Sequence, residues 1–250
     1  MREENCSFVN RHGQELSGVL HHPEANTSRG GVILCHGMES DKESDKLVLL
    51  SRELAQRGLL ALRFDFACAG KSGKFEEITY SGEVEDLQAV FAFMHDRQAG
   101  KIAILGSSMG GTVALLFAAQ HTGVATVVTI AAPVHPERFA SRLLMPAQVR
   151  EWRETGYTFY HGLRINVSLL DDLEKINVPE AAQKIDCPVL ILHGDEDDVV
   201  PVEEAHELYG YLRGSKRLSL LKGADHRLSD PASMNQAISE AIAWLCEHVG

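Results

Sequence analysis

A serine hydroxyl attacks a carbonyl at neutral pH only with a base beside it and a third group that fixes the tautomer of that base. Residues that can form such a set are spread along this chain in a defined order. Gly106-Ser107-Ser108-Met109-Gly110 follows an apolar run from Lys101 to Leu105 and precedes a second one, Thr112 to Ala119, that carries Val113, Leu116 and Phe117. A strand, G-x-S-x-G and a helix make the nucleophile-elbow pattern, with Ser108 as the candidate nucleophile. A serine at that junction must accept strained backbone angles, and glycines at 106 and 110 let strand and helix close around it. The turn exposes the hydroxyl and aims the helix N-terminus at it, where developing negative charge is favoured.

The acid and base follow in turn. Pro188 to Leu192 reads as an apolar strand that ends in His193-Gly194-Asp195-Glu196-Asp197-Asp198-Val199-Val200-Pro201, so several carboxylates occupy the loop after it. Leu218 to Leu221 is the next strand, followed by Lys222-Gly223-Ala224-Asp225-His226-Arg227. Of the twelve histidines, His21, His22, His95, His206 and His248 sit in polar surroundings and read as solvated surface. His36 and His193 each end a buried strand before a glycine, where an imidazole pins a loop through backbone hydrogen bonds. His226 alone has the right place for the base, which gives the order serine, acid, histidine.

The chain resembles the α/β-hydrolases, in particular the bacterial serine esterases related to cinnamoyl (feruloyl) esterases and to monoacylglycerol lipases. The resemblance covers nearly the whole length. It rests on His36-Gly37-Met38, on Arg63-Phe64-Asp65-Phe66 followed by Gly70-Lys71-Ser72, on the elbow at Ser108, on His193-Gly194-x-x-Asp197 running to Val200-Pro201, and on Ala224-Asp225-His226. It implies that the acid is the fourth residue after the histidine of the H-G pair, Asp197, with Asp195 as the fallback and the neighbouring carboxylates a solvated loop. It also implies an oxyanion hole made by the backbone N–H groups of Met38 and Met109, with both side chains lining the pocket. Acyl transfer does need two such donors, and loss of one typically costs about 3 to 4 kcal/mol. The sequence departs from its relatives at Ala67-Cys68-Ala69-Gly70, where a small-polar or Gly-His-Gly turn is common. Gly70-Lys71-Ser72 is not a phosphate loop, because Asp65 stands where the first glycine would be required.

The elements that must position these residues are legible as alternation. Val32 to Leu34, Leu59 to Phe66, Ile102 to Leu105, Val127 to Ala131, Val189 to Leu192 and Leu218 to Leu221 read as strands. Between them run helical stripes such as Leu47, Leu50 and Leu54, or Val84, Leu87, Phe91 and Met94, or Ile238, Ile242 and Leu245. The expectation is an α/β fold, that of the α/β-hydrolases, with a mostly parallel sheet covered on both faces. Phe8 and Val9, then Leu16, Val19 and Leu20, flank Arg11-His12-Gly13 and predict an antiparallel hairpin at the sheet edge. All 250 residues fit one domain. The interval from Pro133 to Asp186 is too long for one crossover and reads as a lid subdomain inserted over residues 134–185. Within it Arg150 to Arg153 is helical with Trp152, Tyr157 to Tyr160 and Leu163 to Val167 form a hairpin about His161-Gly162, and a helix from Leu169 to Lys175 returns to the core. Trp152, Tyr157, Phe159 and Tyr160 can face the substrate or pack the lid onto the body.

With 24 basic against 35 acidic residues the net charge is −11 and no basic run occurs, so nucleic acid and anionic membranes are poor partners. No signal sequence follows Met1-Arg2-Glu3-Glu4-Asn5 and no apolar run approaches the roughly 20 residues of a membrane span, so a cytoplasmic location is expected. The five cysteines are scattered and read as free thiols. No zinc-like spacing or calcium loop is present, and neither metal nor cofactor is expected. The sequence therefore predicts a serine carboxylesterase acting on small to medium esters, hydroxycinnamoyl esters among them. Thioester hydrolysis, acyl transfer or peptide cleavage by the same triad is the alternative, and a non-catalytic binding protein a remoter one. A homodimer is left open, since the aromatic residues of the lid can pack against the body, the ligand or a second subunit.

Overall fold

The computed structural model describes residues 2–24, 28–70, 73–97 and 100–250, so that Lys71 and Ser72 of the glycine-lysine-serine segment lie outside the described residues. Ten strands are found among them. β1 (Arg2–Val9) and β2 (Glu15–His22) form the edge hairpin, and β3 (Gly31–Cys35), β4 (Leu60–Phe64), β5 (Ile102–Ser107), β6 (Val124–Ile130), β9 (Val189–Gly194) and β10 (Lys216–Leu221) complete a sheet in the order β1-β2-β4-β3-β5-β6-β9-β10. β2 is antiparallel to both its neighbours, and every pairing from β4 to β10 is parallel.

A central parallel strand must be apolar on both faces, and these are. On β3 the side chains of Ile33 and Cys35 enter one core while Val32 and Leu34 enter the other, and on β5 Ile102 and Ile104 alternate in the same way with Ala103 and Leu105. The first core is closed by α2 (Tyr80–Asp96), α3 (Met109–Ala118) and α8 (Val202–Tyr211) through Leu87, Val113 and Leu208. The second is closed by α1 (Asp45–Gln56) and α9 (Pro231–Val249), whose Leu47, Leu50, Leu54, Ile238, Ile242 and Leu245 are the predicted stripes. Because parallel strands all point one way, the loops after β3, β5, β9 and β10 gather at one edge of the sheet. That edge carries Met38, Ser108, Asp197 and His226.

Between β6 and β9 lie α4 (Phe139–Leu143), α5 (Pro146–Thr155), a two-stranded antiparallel sheet of β7 (Tyr157–Tyr160) and β8 (Leu163–Asn166), α6 (Ser168–Leu173) and α7 (Val178–Ala182). The hairpin turn is built by His161 and Gly162 at φ 47° and 82°, the paired left-handed residues of a tight two-residue connection. Trp152 is fully buried and packs with Ile165 in the first core, whereas Phe159 is 58% exposed.

Candidate active site

Ser108 sits between β5 and α3 at φ 51° and ψ −124°, a conformation that a non-glycine residue adopts only under constraint. The constraint is visible at the two flanking glycines. A Cβ on Gly106 would lie 2.1 Å from the carbonyl oxygen of Gly110, and one on Gly110 would lie 2.3 Å from that of His36. Strand, elbow and the loop after β3 are thus pressed together, and only glycine fits at the two contacts. The Ser108 N–H donates to Ile130 O at 2.7 Å, tying the elbow to the end of β6.

The hydroxyl lies 3.0 Å from His226 Nε2, and His226 Nδ1 lies 2.8 Å from Asp197 Oδ2. The carboxylate fixes the tautomer: Nδ1–H donates to it, leaving Nε2 to accept from the serine. Asp197 has a fully buried side chain, and its other oxygen accepts the N–H groups of Val199 at 2.9 Å and Val200 at 2.8 Å. Burial alone would raise its pKa, but the hydrogen bonds from His193, His226 and Val200 outweigh this and hold the carboxyl well below the usual range. Asp195 turns away, accepting the Gly223 N–H at 2.6 Å across the loops. Among the acidic loop residues, it is Asp197 that meets His226.

The two amides named for an oxyanion hole have no hydrogen-bond partner among the described residues, and both methionines line the cavity beside Ser108. The loop carrying Met38 is clamped from below by the residues of the Arg63-Phe64-Asp65-Phe66 segment. Asp65 accepts the backbone N–H of Lys42 at 2.8 Å and its ammonium at 2.5 Å, Arg63 donates to Lys42 O at 3.0 Å, and the Phe66 N–H donates to His36 Nε2 at 3.3 Å. His36 and His193 do pin loops, His36 Nδ1 lying 2.9 Å from Gly37 O and His193 Nε2 lying 2.8 Å from Val200 O.

His21 does not lie at the solvated surface where its polar neighbours in sequence placed it. Its ring is fully buried under α1, where it accepts from Arg63 Nε at 3.0 Å. Burial, with the Arg63 charge beside it, pushes its pKa down to about 4. The sequence signal was present, because position 21 shares a face of β2 with Val19, but the adjacent His22 masked it.

The cavity over Ser108 has a volume of about 580 Å³, the size that encloses a small organic molecule. Tyr160 and Phe139 reach it from the inserted segment, whereas Trp152, Tyr157 and Phe159 do not line it. Sequence reading passed over Lys46, Tyr80, Arg142 and His135, which also line it, because none belongs to a recognisable motif. No group of three or more potential metal ligands occurs among the described residues, and no described helix is long and apolar enough to cross a membrane.

The chain is similar to known proteins over most of its length. YqkD of Bacillus subtilis (strain 168), itself uncharacterized, is 28% identical over 237 residues, which cover 90% of this chain and 74% of that one. The esterase domain of a Rhodothermus marinus protein is 25% identical, covers all of both chains and superposes with a TM-score of 0.79. Est1E of Butyrivibrio proteoclasticus, solved with ferulic acid bound, shares the fold at a TM-score of 0.87 and 22% identity over 98% of this chain and 99% of its own. The α/β-hydrolase fold expected from the sequence is therefore the fold observed. The family model described as serine aminopeptidase, S33 matches residues 26–174 and 162–230, and the chain belongs to that family of hydrolases.

Proposed function

We propose that this hydrolase is a serine carboxylesterase acting through Ser108, His226 and Asp197. His226 takes the proton of Ser108 as the hydroxyl oxygen attacks the ester carbonyl, and Asp197 stabilises the imidazolium that results. The tetrahedral oxyanion is held by the N–H groups of Met38 and Met109 at the N-terminus of α3. Collapse expels the alcohol, which receives the proton from His226 and leaves an acyl group on Ser108 Oγ. Water, deprotonated by His226, then releases the carboxylic acid and restores the serine. The observation that carries this reading is the unbroken hydrogen-bond line from Ser108 through His226 to Asp197 at the floor of the cavity.

Ester cleavage is preferred over aminopeptidase action because a free peptide N-terminus needs a carboxylate in the cavity that is both unengaged and sheltered from water. Of the two carboxylates that line it, Glu39 is already paired with His161 at 3.0 Å, and Asp45 is exposed at the first turn of α1. Similarity to the esterase domain from Rhodothermus marinus supports the same choice. In this reading residues 134–185 form a lid on a single catalytic domain, with Tyr160 and Phe139 facing the acyl group. Small to medium carboxylic esters are the substrates, hydroxycinnamoyl esters among them, in the cytoplasm and without a cofactor.

The test is turnover of p-nitrophenyl esters, glycerides, thioesters, peptide amides and methyl hydroxycinnamates by the native protein and by Ser108→Ala, with fluorophosphonate labelling alongside. Ester turnover lost in the variant, together with an adduct on Ser108, is the expected result. No ester turnover, or turnover that survives the substitution, overturns the reading.

A further inference from the structure

Lys46 is the second residue of α1 and lines the cavity over Ser108. Its position has three costs. A cation in the first turn of a helix opposes the helix dipole. Its ammonium is largely withdrawn from water, which pulls its pKa down to about 8 against the opposing attraction of Asp225 and Asp197. Its single hydrogen bond is to a neutral group, the hydroxyl of Ser107 at 3.0 Å, and among the described residues it makes no ion pair.

Of the other basic groups that line the cavity, Arg227 is exposed to water, His36 and His226 are engaged as described above, and three have carboxylate partners. Arg142 meets Glu204 at 2.5 Å, His135 meets Glu207 at 2.5 Å and Glu137 at 2.9 Å, and His161 meets Glu39 at 3.0 Å. A desolvated cation with no carboxylate at ion-pair distance is a destabilising arrangement, and packing gives no reason for it, since the hydrophobic face of α1 is supplied by Leu47, Leu50 and Leu54. What is missing is an anion in direct contact with the ammonium, and the space for one is the substrate cavity. Ser107 and Ser108 are consecutive and both line that cavity, so a group bound at Lys46 and the carbonyl attacked by Ser108 fit within one small molecule. The net charge of the protein, −11, repels anions at long range, which makes a local cation the more telling.

Building on the esterase reading, we propose that Lys46 binds an anionic group of the substrate, so that the preferred substrates are esters that carry a carboxylate on either the acyl or the alcohol side. The salt bridge forms in the cavity, where it is desolvated and strong.

Two matched pairs test this. Mono(4-nitrophenyl) adipate against 4-nitrophenyl hexanoate places the charge on the acyl side, and 4-acetoxybenzoate against phenyl acetate places it on the alcohol side. In the native protein kcat/KM for the charged member of at least one pair is expected to exceed that of its neutral mate by on the order of 10- to 100-fold, the range of a charged hydrogen bond. The pair that responds identifies the side. Lys46→Met is expected to abolish that ratio and Lys46→Arg to keep most of it. Should Lys46→Met fail to fold, Lys46→Gln carries the same expectation. A native ratio at or below one in both pairs, or a ratio that persists in the Met or Gln variant, overturns the role of Lys46 and leaves the esterase reading intact as long as neutral esters turn over and Ser108 is labelled. Absence of both turnover and labelling overturns the two together.

Discussion

His193 shares an oxygen of Asp197 with His226: its Nε2 lies 3.3 Å from Asp197 Oδ2, the atom to which His226 Nδ1 donates at 2.8 Å. The Nε2–H of His193 also donates to Val200 O, so one imidazole fastens both ends of the loop that presents the acid. His193→Phe keeps the bulk and removes these bonds, leaving a buried carbonyl unpaired at a cost of about 1 to 3 kcal/mol. The expected result is a Tm lowered by several degrees and a kcat lowered roughly 10-fold or more, with KM little changed. Calorimetry and steady-state kinetics with a neutral ester check it, and an unchanged kcat would mean that the Val199 and Val200 amides hold Asp197 unaided.

Asp197 is also where pH acts on stability. Its pKa in the folded protein is depressed below the unfolded value of about 3.9, so its contribution is fully present above that value and is lost as pH falls below it, towards the folded pKa. Asp197→Asn, which cannot ionise, should differ most from the native protein in urea midpoint near pH 6, and the gap should narrow steadily below about pH 4. Activity at pH 7 should fall by about 10⁴-fold, the loss seen when an amide replaces the acid of such a triad and the histidine takes the wrong tautomer. A gap independent of pH from 6 to 3 would contradict the depressed pKa.

Legibility in the sequence followed the length of the physical signal. Both-faced apolar runs such as Val32 to Leu34 and Ile102 to Leu105 announce central parallel strands because burial on both sides leaves no polar position. The structure lengthens these only slightly, to Gly31–Cys35 and Ile102–Ser107. Ser108, Asp197 and His226 were readable because each follows an apolar strand at the same sheet edge, so chain order substituted for geometry. The choice of Asp197 over Asp195 was not readable from spacing and leaned on resemblance. Only the folded loop distinguishes them, sending Asp195 to the Gly223 N–H. Lys46 was hidden for the opposite reason. On α1 it is one polar residue among several, and its meaning comes from Ser107, 61 positions later.

The clamp beneath the Met38 loop gives a graded prediction. Asp65→Ala removes the partner of both the Lys42 N–H and its ammonium, while Lys42→Met removes only the ammonium contact and keeps the backbone bond at 2.8 Å. If Asp65 serves to hold the Met38 N–H in place, kcat should fall more in Asp65→Ala, about 10- to 100-fold for a misplaced donor, than in Lys42→Met. Stopped-flow measurement of acylation separates this from slower deacylation. Equal losses in the two variants would locate the effect in the ion pair and not in the loop.

The tip of the β7–β8 hairpin rests on the loop that carries Met38, through His161 Nδ1 at 3.0 Å from Glu39 Oε1. Both residues hold positive φ, 47° at His161 and 58° at Glu39, so each side chain is aimed by a strained backbone. His161 is largely exposed, and an ion pair of that kind contributes at most about 1 kcal/mol. His161→Ala should therefore leave Tm nearly unchanged. It should nevertheless free the hairpin, whose β7 and β8 hold each other in place but bury little apart from Ile165. Amide exchange over residues 158–165 should quicken several-fold and KM for bulky aryl esters should rise, while KM for an acetate ester, too small to reach Tyr160, stays constant. At a pH low enough to protonate His161, raising the salt concentration should move the native protein part of the way towards the variant, because an exposed ion pair is screened. Uniform KM changes across large and small esters would show that the hairpin orders the catalytic groups themselves and does not only bound the acyl end of the cavity.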